Sequence, residues 1–156
     1  MSLREAVAMS DRLQVKVLED APFKPPELKP AKEGDVGLDL VLCIKEDKVV
    51  VPAQGFVNVS TGLAVKLPWG TWGSIRPRSS TFAKKRLFIM DGTIDENYTG
   101  ELRIFIFNPN KYDVILEKGI RLAQLVVHPR VKFTVFYTDE LPKTERGDSG
   151  FGSTGD

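Results

Sequence analysis

Short runs of β-branched and aromatic residues, each cut off by proline or glycine within a few positions, set the tightest limit on what this chain can fold into. Residues 13–18 alternate apolar and polar side chains and read as a strand. Pro22, Pro25, Pro26 and Pro30 then impose an extended, irregular stretch, because proline fixes φ and lacks an N–H donor. Strands are expected over 35–44, with Gly37 near the start, and over 49–51 and 56–59 on either side of the Pro52/Gly55 turn. Two more, 62–67 and 71–75, are separated by Pro68 and Gly70. Runs 87–90 and 102–107 flank a polar stretch and read as a hairpin, with turn chemistry from Asn97 and Gly100. Residues 114–116, 122–127 and 131–137 complete the set, with a turn at 117–119. About ten short strands at roughly 8–12-residue spacing predict an all-β sandwich or barrel. The helix expected inside the domain covers residues 81–85, capped by Ser79 or Ser80.

With 156 residues the chain suffices for one domain with a real core. Lys and Arg number 22 against 21 Asp and Glu, so overall charge points to neither nucleic acid nor membrane. Cys43, the single cysteine, precludes an intrachain disulfide and reads as a small buried residue. The single His128 rules out a multi-histidine metal site. No apolar run approaches the ~20 residues of a membrane span and no signal peptide is visible, so a soluble, cytoplasmic protein is expected. The sequons at Asn58 and Asn97 are then chance matches. Three regions are expected. Residues 1–12 form an N-terminal extension, disordered or at most a helical turn with Ser2 and Glu5 as a capping box. Residues 13–138 form the β domain, and 139–156 a flexible glycine-rich arm.

Several clusters could carry chemistry. Arg76-Pro77-Arg78-Ser79-Ser80 puts an arginine fork and two hydroxyls before a helix start, an arrangement suited to phosphate, though a solvated basic loop reads the same way. Asp95 and Tyr98, three residues apart, would share the mouth of the expected hairpin, or merely begin a turn and pack on a neighbour. Gln124 is a polar residue in an apolar strand, and Asp39 follows Gly37 in a comparable setting. In the tail, Gly150, Gly152 and Gly155 satisfy a GxGxxG pattern, but no helix can follow, so the dinucleotide reading fails. Arg146-Gly147-Asp148 resembles an adhesion tripeptide without other support. What remains is an arm with Arg146, Phe151, Ser153 and Thr154 among glycines, able to fold over a phosphorylated ligand or to stay inert.

Five segments in order carry a resemblance: Gly37-Leu38-Asp39-Leu40, Pro77-Arg78-Ser79-Ser80, Gly92-Thr93-Ile94-Asp95-Glu96-Asn97-Tyr98-Thr99-Gly100-Glu101, Arg121-Leu122-Ala123-Gln124-Leu125, and the tail from Arg146 to Gly155. Together they resemble the five motifs of the homotrimeric deoxyuridine triphosphatase (dUTPase) family, and the match spans roughly residues 13–156. The resemblance implies a jelly-roll-like subunit and a trimer with sites at subunit interfaces. It also implies hydrolysis of dUTP to dUMP and pyrophosphate, which limits uracil in DNA and supplies dUMP for dTMP synthesis. By the same resemblance Asp95 would activate the water that attacks the α-phosphate, and Tyr98 would pack on the deoxyribose. Gly92, Thr93 and Ile94 would read uracil through the main chain. Arg78, Ser79, Ser80 and Gln124 would bind phosphates, and Arg103 would contact the nucleotide. Asp39 would meet a hydrated Mg²⁺ that bridges the phosphates. Phe151 would stack on uracil, while Arg146, Gly152, Ser153 and Thr154 contact phosphates as the arm closes.

This chain departs from the family pattern at three points. Leu38 stands where an aromatic is commoner, Ser80 replaces a frequent glycine, and Asp148 adds a negative charge to the arm. Two other readings compete. One is a dCTP deaminase-type enzyme of the same fold, which would release ammonia. The other is a nucleotide-sensing, protein-binding β module, motivated by the basic cluster Lys84-Lys85-Arg86 and the exposed tail.

Overall fold

A computed structural model gives the fold and describes residues 11–147. Its strands are β1 (Gln14–Val17), β2 (Gly37–Val41), β3 (Lys48–Val51), β4 (Phe56–Lys66), β5 (Thr71–Pro77), β6 (Phe88–Ile89), β7 (Gly92–Ile94), β8 (Glu101–Phe107), β9 (Val114–Glu117) and β10 (Arg121–Pro129). One helix, α1 (Ser79–Lys85), lies between β5 and β6. The strands pair antiparallel in two four-stranded sheets, ordered β1-β4-β8-β6 and β2-β10-β5-β7, and a two-stranded sheet, β3-β9. Among the described residues, the expected all-β class with one short helix is what forms.

Period-two patterning places the core. In β8, Leu102, Ile104 and Ile106 are fully buried, while Arg103, Phe105 and Phe107 point the other way. Leu40, Ile75, Leu122 and Leu125 from the second sheet join them in one apolar cluster with Leu87 and Leu116. Each such side chain contributes about 1.5–3 kcal/mol by leaving water. Cys43 is buried as expected, and burial pushes its thiol pKa up. Asn108, fully buried, donates to the Val51 and Tyr112 carbonyls at 3.0 and 2.9 Å, so no polar cost is left open there.

Four expectations need correction. The runs 56–59 and 62–67 are one strand, β4, because a bulge carries the chain through Ser60, Thr61 and Gly62. Pairing with β8 shifts between Ser60↔Arg103 and Ala64↔Glu101. Gly62 takes φ +71° at the bulge, and a Cβ there would lie 2.7 Å from Cys43 Sγ. The helix begins at Ser79, with Arg78 as N-cap and no side-chain cap, so neither serine caps it. Its anchor is Thr81 instead, whose buried hydroxyl donates to the Leu122 carbonyl at 2.7 Å.

The third correction concerns the stretch from Gly92 to Glu101. Its flanks do pair, Phe88 with Phe107 and Ile89 with Ile106, and the Met90 N–H donates to the Phe105 carbonyl at 2.9 Å. Beyond Met90 the chain leaves that sheet, and β7 pairs with β5 through Ile75↔Gly92, Ser74↔Thr93 and Gly73↔Ile94. Burial of Ile94 in the core holds it there. The stretch is therefore a crossing between two sheets, not a closed hairpin tip. Lastly, residues 131–137 form no strand. Val131, Phe133, Val135, Phe136 and Tyr137 are 68–92% exposed, and among the described residues no strand pairs with them.

Candidate active site

Where β6 stays with one sheet and β7 goes to the other, a cleft of about 560 Å³ opens. It is lined by Ile75, by Gly92, Thr93, Ile94 and Asp95, and across from them by Tyr98, Arg103 and Phe105. Gly92 lacks a positive φ, and a Cβ on it would meet only Ile75 at an ordinary 3.7 Å. The fold of one chain thus does not require glycine at 92. Its missing side chain leaves bare main chain facing a cavity, the way a backbone meets a flat polar ring.

Tyr98 is fixed at both ends. Its N–H donates to the Asp95 carbonyl at 3.0 Å and its hydroxyl to the Glu101 carbonyl at 2.9 Å. The ring folds over Gly100, where a Cβ would lie 2.5 Å from the hydroxyl oxygen. Gly100 is glycine to admit that ring, not for left-handed turn geometry. Arg103 is pinned as well. Its Nε donates to Asn58 Oδ1 at 2.7 Å, Nη1 to Glu101 Oε2 at 2.6 Å and Nη2 to the Asn58 carbonyl at 3.2 Å.

A second cavity, about 300 Å³, is lined by Asp35, Gly37, Asp39, Arg78, Ser79 and Gln124. Pairing of β2, β10 and β5 places Asp39 opposite Gln124 and Gln124 opposite Arg76. At the end of β5, Arg78 then reaches Asp39, with Nε 2.7 Å from Oδ1, while Arg121 Nη1 lies 3.7 Å from Oδ2. Gln124 Nε2 donates to the Pro77 carbonyl at 3.0 Å. Its Oε1 sits 1.8 Å from where a Gly37 Cβ would be, so Gly37 is what lets the carboxamide lie there. The carboxylate holds one edge of the Arg78 guanidinium and leaves the rest of the fork for an anion.

The sequence-derived candidates thus fall into two groups. Asp95, Gly92, Thr93, Ile94, Tyr98 and Arg103 line the first cleft, and Asp39, Arg78, Ser79 and Gln124 the second. Neither cavity's lining includes a residue of the other. Ser80 is half-buried at the second position of α1, and Arg146 lies in the exposed segment after β10. Phe151, Gly152, Ser153 and Thr154 lie outside the described residues. Sequence reading missed two residues around Asp39: Asp35, which lines the same cavity, and Arg121, visible only as the first residue of its motif.

An apolar cleft edged by bare main chain and a carboxylate, with a separate arginine-serine pocket, defines a class: all-β chains shaped to take a planar ring in one place and anionic oxygens in another. Comparison with known proteins narrows it. The dUTPase family model matches residues 25–155. The deoxyuridine 5′-triphosphate nucleotidohydrolase of Hydrogenobaculum sp. (strain Y04AAS1) is 45% identical over 127 residues, 80% of this chain and 87% of that one. Its counterpart in Clostridium acetobutylicum is 39% identical over 145 residues, covering 92% and 96%. Among solved structures, the Staphylococcus bacteriophage 80alpha dUTPase with dUPNHPP superposes with a TM-score of 0.81 at 28% identity, covering 94% of this chain and 99% of that one. A D95N mutant dUTPase from phage phi11 of S. aureus, described for the coordination of a structural Mg(II) ion, gives 0.66 at 26% identity, covering 86% and 97%. The chain belongs to the dUTPase family.

Proposed function

We propose that this chain hydrolyses dUTP to dUMP and pyrophosphate, limiting uracil in DNA and supplying dUMP, and that Asp95 is its general base. Family membership supports the reaction, and the observation that carries the residue roles is the cleft that joins Gly92 main chain, Tyr98 and the Asp95 carboxylate. Uracil presents acceptor, donor and acceptor along its pairing edge, which amide groups at Gly92, Thr93 and Ile94 can match. Cytosine's amino group would oppose a donor, at a cost of about 1–3 kcal/mol. Tyr98, locked by Gly100 and the Glu101 carbonyl, excludes a ribose 2′-hydroxyl by occupying its space. Asp95 takes a proton from water as the water oxygen bonds to the α-phosphorus. The α-phosphorus–oxygen bond to the β-phosphate breaks, and pyrophosphate leaves with the electron pair.

Arg78, Ser79, Ser80 and Gln124 hold the polyphosphate in line. Arg103, three of whose five N–H donors are taken by Asn58 and Glu101, presents the nucleotide its planar face and the one remaining N–H on each terminal nitrogen. The second cavity contains two carboxylates, Asp35 and Asp39. That donor set fits a magnesium ion held mainly by substrate phosphates and water, with Asp39 contacting it through water. When bound, the ion would neutralise phosphate charge. Residues 13–138 would be the β domain and 139–156 an arm that closes over the nucleotide, with Phe151 on uracil and Arg146, Gly152, Ser153 and Thr154 on phosphates. Ordering the arm costs about 1–2 kcal/mol per residue, so closure requires ligand.

A homotrimer is part of this reading. Separation of the two half-sites in one copy and the exposed aromatics after β10 both call for neighbouring copies. Among the described residues no helix is long and apolar enough to cross a membrane, and we place the protein in the cytoplasm. The test is pyrophosphate release from dUTP, dCTP, dTTP and UTP. The expected preference for dUTP is about 10²-fold or more over each competitor. Equal rates on all four would refute the specificity, and ammonia from dCTP would show the deaminase reading instead.

A further inference from the structure

Glu96 follows Asp95 directly, yet its side chain is only 14% exposed. It accepts from the Gly70 N–H at 3.1 Å and from Arg130 Nη2 at 3.0 Å, both on Oε2. The Arg130 N–H in turn donates to the Gly70 carbonyl at 2.8 Å, which closes a ring of three contacts. Lys66 Nζ donates to the Glu96 carbonyl at 2.8 Å. The turn that receives Glu96 is itself stiffened, since the Thr71 hydroxyl donates to the Pro68 carbonyl at 2.7 Å. Three elements therefore meet on one residue: the β4–β5 turn and the end of β10 on its side chain, and the end of β4 on its carbonyl.

Among the described residues the Asp95 side chain makes no such contact, and it is exposed in the cleft. Its neighbours do the fixing. Ile94 before it is buried in the core, and Glu96 after it is held in the ring of contacts. With both flanks held, the path of the backbone at residue 95 is set, and with it the direction of the Cα–Cβ bond from which the carboxylate enters the cleft.

We propose that Glu96 is a positioning residue for hydrolysis: its attachment to Gly70 and Arg130 aims the Asp95 carboxylate at the attacking water. The proposal rests on the reading of Asp95 as general base. It concerns geometry of the reacting group, so loss of Glu96 acts on turnover more than on substrate affinity. A misplacement of about 1 Å can cost roughly 10²-fold in rate. Glu96→Ala in the full chain is expected to lower kcat for dUTP about 10–100-fold with KM changed less than about 3-fold. Glu96→Gln keeps an acceptor for the Gly70 N–H but loses the charge facing Arg130, and falls between. Arg130→Ala should reproduce the kcat loss, Arg130→Lys should recover most of it, and the Glu96→Ala/Arg130→Ala double variant should cost no more than the worse single one.

Thermal midpoints and kcat are measured on the same preparations. A kcat within about 2-fold of wild type alongside a lowered midpoint would make Glu96 structural only and overturn the proposal, as would a rise in KM at constant kcat. If Glu96→Ala does not fold, Glu96→Gln and the Arg130 pair decide on the same terms. Retained turnover in Asp95→Asn would instead remove the general-base reading beneath it, a separate failure.

Discussion

Asp95→Asn is expected to lower dUTP turnover by about 10²–10⁴-fold, the range a positioned general base supplies. The substitution keeps shape and removes only the capacity to take a proton. The Asp95 side chain is exposed, and the contact that holds the turn is made by its backbone carbonyl with the Tyr98 N–H, so the fold should not notice. Binding of dUTP, measured by calorimetry, should stay within a few-fold. Turnover that survives while affinity falls would move Asp95 from chemistry to binding.

Removing Arg78 should act the other way, on KM. Arg78→Ala deletes a charge-assisted donor to phosphate, a contact of about 1.5–3 kcal/mol, or roughly 10–150-fold in affinity. It also strands Asp39, 18% exposed, whose Oδ1 then loses its partner at 2.7 Å and keeps only Arg121 at 3.7 Å near Oδ2. That uncompensated carboxylate would face the polyphosphate and repel it. Arg78→Lys restores charge without the planar fork and should recover only part of the loss. Steady-state kinetics with dUTP check both, and an unchanged KM in Arg78→Ala would remove this pocket from the phosphate-binding role.

How far the sequence could be read depended on whether a feature is local. Alternation over residues 102–107 marks β8 because period two follows from the backbone alone. The sheet that takes Gly92–Ile94 could not be read, since a three-residue run pairs equally well on paper with β8 or β5. Packing of Ile94 decides it. Gly62 and Gly100 were visible as glycines but not as a bulge and a ring seat, because each answers a partner elsewhere: Cys43 for one, the Tyr98 ring for the other. Residues 131–137 have strand composition, yet a strand needs a partner edge, and among the described residues none pairs with them.

The site divides in the same way. Asp95 and Tyr98 are near in sequence and near in space, so their grouping was legible. The Asp39–Arg78 pair depends on the register of three strands, which no local pattern encodes. Glu96 looked like any glutamate in a polar turn, and only the approach of Gly70 and Arg130 distinguishes it.

The most direct test of the whole account mixes two variants impaired in different ways, Asp95→Asn in turnover and Arg78→Ala in affinity, and assays them at dUTP well below the KM of Arg78→Ala. Asp95→Asn and Arg78→Ala chains would be unfolded together and refolded at equal amounts, then assayed for pyrophosphate release from dUTP. Shared sites in a closed homotrimer give about a quarter of them an intact Asp95 from one copy and an intact Arg78 from another, so activity should return toward that fraction. Activity no higher than that of either variant alone, from refolded trimers shown to be mixed, would contradict a site built from both half-sites of different copies.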